Sequence, residues 1–328
     1  MVMAQTHFGF LHLRFLRDDR MTRRIVLALF IVATGLSLVV DSAPGQDLAP
    51  KVIEVTKLKD NLFVFRGGGG NTAVFIMSNG VTVVDTKNPG WGRPILDKIK
   101  ELTDKPVVRI INTHAHADHV SGNVEFPSDV DIVAQENTET NMHRMVAGTG
   151  FPPLTTNIFN DHNGKGMPKR TFKDKLSIGN GDDRVDLYYF GRAHTNGDAW
   201  VVFPALRVAC VGDVFSGKNI PLLDANNGGS GLEIPDTLQK AYDALKEVDV
   251  IITGHSTEMT RADLKEYVDL NREFLNDMRE AKSAGKSVDE VASSWKIPDK
   301  YAGYVAPAAR LKANVQIVYD ELDAVSSK

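Results

Sequence analysis

The sequence predicts a mixed α/β (α+β) fold with a helical C-terminal extension. Short β-rich runs alternate with helical segments as far as about residue 255, and only helical periodicity follows. The 328 residues are 42% hydrophobic and 24% charged, which is typical of a globular protein. We therefore expect one mixed domain over residues 46–258 and a helical extension over residues 259–328 that packs on it.

Strands and helices are predicted in a regular order in the mixed domain. Turn residues separate the first runs, and Ile95, Ile99 and Leu102 recur on one face of the first helix. The predicted strands are 52–56, 62–66, 72–77, 81–85, 107–112, 131–134, 185–190, 200–203, 207–211 and 248–253. The predicted helices of this domain are 92–102, 137–146 and a segment around 238–245.

The C-terminal extension is predicted to contain three helices. Thr260 and Asp263 have the spacing of a capping box, and apolar residues follow them at helical intervals. Ser287 and Glu290 have the same spacing and open a second, short helix. A third helix is expected around residues 311–322.

Residues 1–45 are predicted to be a signal region. Arg23 and Arg24 precede sixteen uncharged residues, 25–40, and the small residues Ala43 and Gly45 follow. Residues 1–20 are an unusual prefix to such a signal, so we expect synthesis to start at Met21. This pattern predicts a periplasmic or secreted protein without a stable membrane span once the signal is removed; the alternative is an uncleaved anchor.

Charge and cysteine content exclude several classes of protein. The net charge is −4 without a long basic run, which argues against a protein that binds nucleic acid. The single cysteine, Cys210, excludes an internal disulfide framework and a site of several cysteines. Cys210 lies within a predicted strand, where we expect a buried and inert thiol. The sequence does not predict an oligomeric state.

Histidines and aspartates cluster in a pattern that predicts a metal site. His114, His116, Asp118 and His119 follow a predicted strand directly. In an extended segment residues i and i+2 face the same side, so the first two histidines can reach one ion, while Asp118 and His119 can reach a second position. Three further candidates each follow a strand, and open sheets gather their sites at such ends. These candidates are His194, Asp213 and His255.

In these motifs the chain resembles the metallo-β-lactamase-fold hydrolases, over residues 52–256. Asp85, at the end of a strand, stands where the family has its first motif, and residues 114–119 give the complete HxHxDH motif. His194, Asp213 and His255 match the third, fourth and fifth motifs in order. The resemblance implies that residues 46–258 form a catalytic αββα sandwich, with two mixed sheets inside, helices outside and metal ions at one edge.

The resemblance also implies a role for each of these residues. His114, His116 and His194 would bind one zinc ion, Asp118, His119 and His255 would bind a second, and Asp213 would bridge the two; iron or manganese are alternatives to zinc. A hydroxide between the ions would attack the substrate, and Asp118 would be the catalytic residue that orients it and transfers its proton. Asp85 would support the loop that carries the histidines. Apart from the resemblance, the conformational freedom of four glycines between two strands predicts that Gly67, Gly68, Gly69 and Gly70 form a mobile flap over the metals.

Asp213 decides which reaction we expect. Zinc β-lactamases usually have cysteine or serine at this fourth motif, whereas aspartate is typical of the glyoxalase-like and lactonase-like branch. The expected activity is therefore hydrolysis of an ester, lactone, thioester or amide bond in a small molecule. Hydrolysis of β-lactams, an iron-dependent oxidoreductase of the persulfide dioxygenase type and a metal-binding protein without turnover remain alternatives. Residues 148–168 and 218–232 are expected to line the pocket.

Overall fold

Two β-sheets pack face to face, and helices cover their outer surfaces. The computed structural model describes residues 50–327, so the predicted signal at residues 1–45 lies outside the described residues. The strands come in an order that matches the alternation in the sequence, and the mixed α/β sandwich with C-terminal helices is confirmed.

The first sheet contains seven strands in chain order. Its strands are β1 (Glu54–Lys59), β2 (Leu62–Arg66), β3 (Thr72–Ile76), β4 (Val81–Val84), β5 (Val107–Ile111), β6 (Asp131–Gln135) and β7 (Arg170–Phe172). β1 to β4 are antiparallel hairpins, and β4 to β7 pair in parallel. The carboxyl ends of β4 to β7 therefore lie at one edge of the sheet.

The second sheet contains six strands. Its strands are β8 (Lys175–Ile178), β9 (Val185–Tyr188), β10 (Trp200–Phe203), β11 (Val208–Cys210), β12 (Val250–Ile252) and β13 (Met259–Thr260), in the order β13-β12-β11-β10-β9-β8. β11 and β12 are parallel, and the other pairs are antiparallel. As a result, β9, β11 and β12 all run in the same direction.

Eight α-helices complete the described part of the chain. They are α1 (Gly92–Leu102), α2 (Ala117–Val120), α3 (Glu136–Arg144), α4 (Ile158–Asp161), α5 (Ile234–Ala244), α6 (Arg261–Ser283), α7 (Val288–Ser294) and α8 (Ala308–Ser326). Within residues 50–327, no helix combines the length and the apolar character that crossing a bilayer requires.

Apolar side chains fill three layers of the sandwich. Phe75 and Phe203 belong to the core between the two sheets, with ring centroids 4.9 Å apart. Ile95 and Ile99 of α1 pack on the outer face of the first sheet, and α5 and α6 pack on the outer face of the second through residues such as Leu238. Each fully buried side chain of this kind contributes about 1.5–3 kcal/mol, so burial holds the sheets and helices in register.

The C-terminal helices pack against the sandwich and against one another. Thr260 and Asp263 form the predicted capping box at the start of α6, and Tyr267 of α6 joins the core of the second sheet. Further along α6, Phe274 packs in a cluster with side chains of α7 and α8. The described residues from Lys51 onward belong to one compact unit, and the division at residue 258 stays a prediction.

Candidate metal centre

The predicted ligands lie where strands end at one edge of the sandwich. Asp85 follows β4, and His114 comes three residues after β5, which is parallel to β4. In the second sheet, the strands that run in one direction, β9, β11 and β12, are followed by His194, Asp213 and His255. Strands of one direction end at one edge, so the fold brings distant parts of the sequence together.

Three imidazoles form the first group of candidate ligands. His116 Nδ1 lies 3.3 Å from His194 Nε2, and the ring of His114 lies 4.8 Å and 4.7 Å from their rings. Among the described residues, His114 Nε2 is buried and has no hydrogen-bond partner. An unpartnered buried polar atom costs about 1–3 kcal/mol, so this nitrogen fits a site for a cation.

Asp118, His119 and His255 form the second group. His119 Nε2 lies 3.3 Å from His255 Nε2. Asp118 Oδ2 lies 3.7 Å from the first of these nitrogens and 3.2 Å from the second. Asp118 and His119 belong to α2, a single helical turn that leads the chain away from the direction of β5. The second group therefore surrounds a different position from the first.

The carboxylate of Asp213 lies between the two groups. Asp213 Oδ1 lies 3.4 Å from His119 Nε2 and 3.3 Å from His255 Nε2. Asp213 Oδ2 lies 4.0 Å from His194 Nε2. A Cβ atom on Gly254 would lie 1.8 Å from Asp213 Oδ1, so only glycine permits this position of the carboxylate. One oxygen faces each group, as a carboxylate shared by two cations requires.

The two groups differ in charge. Burial and the neighbouring imidazoles lower the pKa of His194 to about 4 and hold the pKa of His114 well below its usual value, so both rings are neutral at pH 7. Burial would also lower the pKa of His255, but contacts with Asp118 and Asp213 outweigh it and raise the pKa to about 9. The second group therefore attracts positive charge, either as a proton or as a metal cation.

Asp85 lies behind the histidines and orients two of them. Its Oδ2 accepts hydrogen bonds from His119 Nδ1 at 2.7 Å and from the Thr113 hydroxyl at 2.6 Å. Because that hydroxyl donates to Asp85, it accepts from His114 Nδ1, which lies 3.0 Å away. Each ring thereby directs Nδ1 outward and Nε2, the nitrogen that can bind a metal, toward the centre. Asp85 adopts φ of 62°, a left-handed conformation that aspartate tolerates better than most residues.

Asp224 is a functional residue that the sequence analysis missed. Its Oδ2 lies 2.7 Å from His116 Nε2, and its Oδ1 accepts from the backbone N–H of Thr149 at 2.8 Å. Burial would raise the pKa of Asp224, but hydrogen bonds from His116 and Asn227 outweigh it and hold the pKa well below its usual value. The Asp-Ala-Asn segment predicts a turn, but no signal in the sequence indicates contact with His116. His194 is oriented similarly, because its Nδ1 donates to the carbonyl of Leu222 at 2.6 Å.

The loop of Gly67, Gly68, Gly69 and Gly70 packs closely against the centre. A Cβ atom on Gly70 would lie 2.2 Å from His119 Cε1, and one on Gly68 would lie 2.1 Å from the Trp91 ring. The Gly70 N–H donates to the carbonyl of Asp118 at 3.0 Å. These contacts show the packing of the loop and not its motion, so the flap stays a prediction.

Two adjoining cavities open at the metal centre. One has a volume of about 560 Å³ and is lined by residues of both ligand groups, by Asn219 and by Arg310. The other, of about 180 Å³, is lined by residues 146–148, Phe151 and Leu154 together with His116. Both segments expected to line the pocket, 148–168 and 218–232, contribute to it. Arg310 is a second residue that the sequence analysis missed.

The structure thus brings together all seven residues predicted to bind metal. Imidazole nitrogens and carboxylate oxygens are the donors that zinc and other divalent ions accept. Every first-group imidazole has an acceptor for its outward nitrogen and directs the other nitrogen inward. The donor set therefore suits a divalent metal, typically zinc.

Comparisons with known proteins agree with this chemistry. The family model of the metallo-beta-lactamase superfamily matches residues 66–255. A metallo-beta-lactamase type 2 from Elizabethkingia meningoseptica is 28% identical over 273 residues, which cover 78% of this chain and 96% of that protein. A hydroxyacylglutathione hydrolase from Crocosphaera subtropica is 26% identical over 164 residues, which cover 50% of this chain and 51% of that protein.

A solved structure has the same fold over a larger share of the chain than the family model matches. The stereoselective inverting sec-alkylsulfatase Pisa1 from Pseudomonas sp. matches with a TM-score of 0.64 at 15% identity, over 81% of this chain and 50% of that one. At this identity the likeness shows the fold alone. The family match, which spans more than half of the sequence, shows that the chain belongs to the metallo-beta-lactamase superfamily and is a metal-dependent hydrolase.

Proposed function

We propose that the chain is an exported dinuclear-zinc hydrolase that cleaves an acyl bond of a small molecule, such as an ester, lactone, thioester or amide. The observation that carries this proposal is the position of Asp213, with one carboxylate oxygen directed at each of two groups of ligands. In this proposal His114, His116 and His194 hold one ion, and Asp118, His119 and His255 hold the other.

The protein fixes the orientation of most of its candidate ligands. When bound, zinc ions lower the pKa of a coordinated water to about 7 and polarise the bond under attack. The outward nitrogens of four ligand imidazoles are fixed by the Thr113 hydroxyl, Asp85, Asp224 and the carbonyl of Leu222. Since those rings cannot turn without losing buried hydrogen bonds, the inward nitrogens stay in place through a catalytic cycle.

Asp118 is the residue that we expect to move the proton. It lines both cavities, and its side chain is 31% exposed, whereas Asp213 is almost fully buried. Burial would raise the pKa of Asp118, but His119 and His255 outweigh burial and lower this pKa to about 2, so the Asp118 carboxylate is ionised at neutral pH. An ionised carboxylate beside the substrate can accept a proton from water and pass it to the leaving group.

Hydrolysis of β-lactams is the second candidate, because the 28% identical metallo-beta-lactamase type 2 aligns over 96% of its own length. Two observations place it second. Asp213 stands at the motif where zinc β-lactamases usually have cysteine or serine. Cys210 cannot replace such a ligand, because its side chain packs between the sheets, where burial raises its pKa well above the usual value.

Export belongs to the same proposal and rests on the sequence of residues 1–45. The basic pair Arg23-Arg24, the uncharged run and the small residues Ala43 and Gly45 support a cleaved signal. N-terminal sequencing of the protein recovered from a periplasmic fraction tests it. We expect a start near residue 46, and recovery of an uncleaved chain in the membrane fraction would contradict export as a free protein.

Metal dependence is the direct test of the hydrolase. The purified protein would be assayed on lactones, thioesters, β-lactams and phosphodiesters as isolated, after chelation and after zinc is restored. We expect acyl hydrolysis that chelation abolishes and zinc restores, with two zinc ions per chain. Activity that survives complete removal of metal would refute the proposal, and iron with oxygen consumption would favour the oxidoreductase alternative.

A matched pair of histidine variants controls this experiment. His116→Ala removes a candidate ligand, whereas His143→Ala removes an exposed imidazole of α3 that pairs with Glu139 at 2.7 Å. We expect loss of zinc and activity in the first variant and unchanged values in the second.

A further inference from the structure

A single lysine or arginine side chain, Arg310, is found among the described residues that line the larger cavity at the metal centre. It lies in the first turn of α8 and is half-buried. Its Nη1 donates to the carbonyl of Ile220 at 3.4 Å, which is a long hydrogen bond. Within residues 50–327, no carboxylate lies within ion-pair distance of Arg310.

Other cations near the centre have protein partners, and buried Lys87 donates to the carbonyls of Phe65 and Gly70. Lys218 contacts the carboxylates of Asp263 and Glu266, and Arg66 pairs with Glu258. Arg310 differs from these cations because it lines the cavity and has no carboxylate of the described residues within ion-pair distance. A guanidinium with unused donors binds carboxylate, sulfonate or phosphate groups well, often through two parallel hydrogen bonds.

The smaller cavity presents the opposite chemistry. It is lined by Val146, Phe151 and Leu154, which are 39%, 57% and 41% exposed. Exposed large apolar side chains that cluster at a site commonly mark a surface that binds an apolar group. The Phe151 ring centroid lies 6.5 Å from that of His116, so this apolar surface adjoins the candidate ligands directly.

The two cavities share part of their wall. His116, Ala117, Asp118 and Phe151 line both, whereas Arg310 lines only the larger cavity and Leu154 only the smaller one. A molecule that reached both ends would therefore pass the candidate metal ligands. Candidate metal ligands therefore line the wall that the cavity with Arg310 and the apolar cavity share.

We propose that the substrate is an anionic amphiphile that lies across both cavities. Arg310 binds its anionic group, Val146, Phe151 and Leu154 contact its hydrocarbon group, and the acyl bond lies at the shared wall. This inference rests on the proposed function and assigns its substrate class. It makes Arg310 a specificity-determining residue, because a neutral substrate of the same length would leave the guanidinium unpaired.

Equilibrium binding of a stable probe tests the inference without turnover. 1-Hexanesulfonate carries an anionic group and a hydrocarbon chain, and its C–S bond does not hydrolyse; hexyl methyl sulfone is a neutral molecule of similar shape. Binding of both to the zinc-loaded protein would be measured by calorimetry. For Arg310→Gln we expect sulfonate binding to weaken about 10- to 100-fold, since a charge-assisted hydrogen bond is lost, and sulfone binding to change less than about twofold.

Three further variants separate the two halves of the site. Arg310→Lys keeps the charge without the planar fork, so we expect a loss smaller than that of Arg310→Gln, and this variant also serves if Arg310→Gln does not fold. Arg279→Gln removes an exposed arginine of α6 and should bind both probes like the wild type. Phe151→Ser should weaken the sulfonate and the sulfone alike, by about fivefold, and leave methanesulfonate unchanged.

Two results would overturn the inference. Equal sulfonate affinity in the wild type and Arg310→Gln would mean that the anion binds elsewhere, for instance at the metals. Equal losses for sulfonate and sulfone would mean that Arg310 acts only on the structure. Zinc content is measured on the same samples, so failure to bind zinc would count against the proposed function and not against the role of Arg310.

Discussion

Removal of the Asp224 carboxylate is expected to weaken metal binding, although Asp224 is not itself a candidate ligand. The carboxylate is buried and accepts hydrogen bonds from three separate parts of the site. His116 Nε2 lies 2.7 Å away, Thr149 N lies 2.8 Å away and Asn227 Nδ2 lies 2.6 Å away. Asp224→Ala leaves all three donors without this acceptor.

The effect on His116 follows from its tautomer. A proton on Nε2, donated to Asp224, leaves Nδ1 unprotonated and directed at His194 Nε2, 3.3 Å away. Without the carboxylate, the proton can move to Nδ1, and the nitrogen that faces the centre then cannot bind a metal. Asp224→Asn keeps the shape of the side chain, but its amide can present an acceptor to His116 only by turning its NH₂ group toward the Thr149 N–H.

The size of the effect can be set from these contacts. Loss of a residue that orients a metal-binding histidine typically weakens metal affinity 10- to 100-fold, or about 1.4–2.7 kcal/mol. Each buried donor left unpaired costs about 1–3 kcal/mol in addition, so Asp224→Ala should also unfold more readily than the wild type. We expect the zinc affinity and the stability of Asp224→Asn to lie between those of the wild type and those of Asp224→Ala.

Competition for zinc between the protein and a chromophoric chelator measures the zinc affinity directly. The wild type would be compared with Asp224→Ala, Asp224→Asn and Asp299→Asn, which removes an exposed carboxylate from the loop between α7 and α8. Circular dichroism confirms that each variant is folded. Zinc affinities of the two Asp224 variants equal to that of Asp299→Asn would refute the reasoning about the tautomer.

The remaining predictions concern two ligands and a buried lysine. Asp118→Ala should lower kcat by about 100-fold or more without loss of fold, because it removes the proton acceptor; near-normal hydrolysis would contradict this role. Asp213→Ala should reduce bound zinc from two ions toward one in elemental analysis, and unchanged stoichiometry would argue against the bridge. Burial lowers the pKa of Lys87 to about 7, so the unfolded chain binds more protons than the folded chain between about pH 7 and pH 10. The free energy of unfolding of the metal-free wild type should therefore rise with pH relative to that of Lys87→Met, by up to about 1.4 kcal/mol per pH unit. Urea unfolding at pH 7 and pH 9 measures this, and an equal change in the two proteins would contradict the prediction.

Central strands could be predicted from the sequence, whereas several edge strands could not. β4 and β10 are buried, β5 is partly buried, and all three are rich in valine and isoleucine or aromatic residues, so their patterns favour strands clearly. β7, β8 and β13 were missed, and each lies at the edge of its sheet. Edge strands are short and carry charged or exposed side chains, as in Arg170–Phe172 and Lys175–Ile178, and such segments have little β propensity of their own.

The candidate ligands could be predicted because residue type and position after a strand carry the chemistry. The spacing of His114 and His116 after a strand predicts a metal site. Asp224 and Arg310 give no such signal, because their roles depend on how a loop and the last helix fold back onto the site. Such residues become visible only when the distances between distant segments are known.

Anomalous diffraction at the zinc edge, from crystals grown with zinc, tests the central claim most directly. We expect two peaks, one about 2.0–2.1 Å from nitrogens of His114, His116 and His194 and the other at the same distance from nitrogens of His119 and His255, with Asp213 in contact with both. A single peak, or side chains of these histidines turned away from an empty centre, would contradict it.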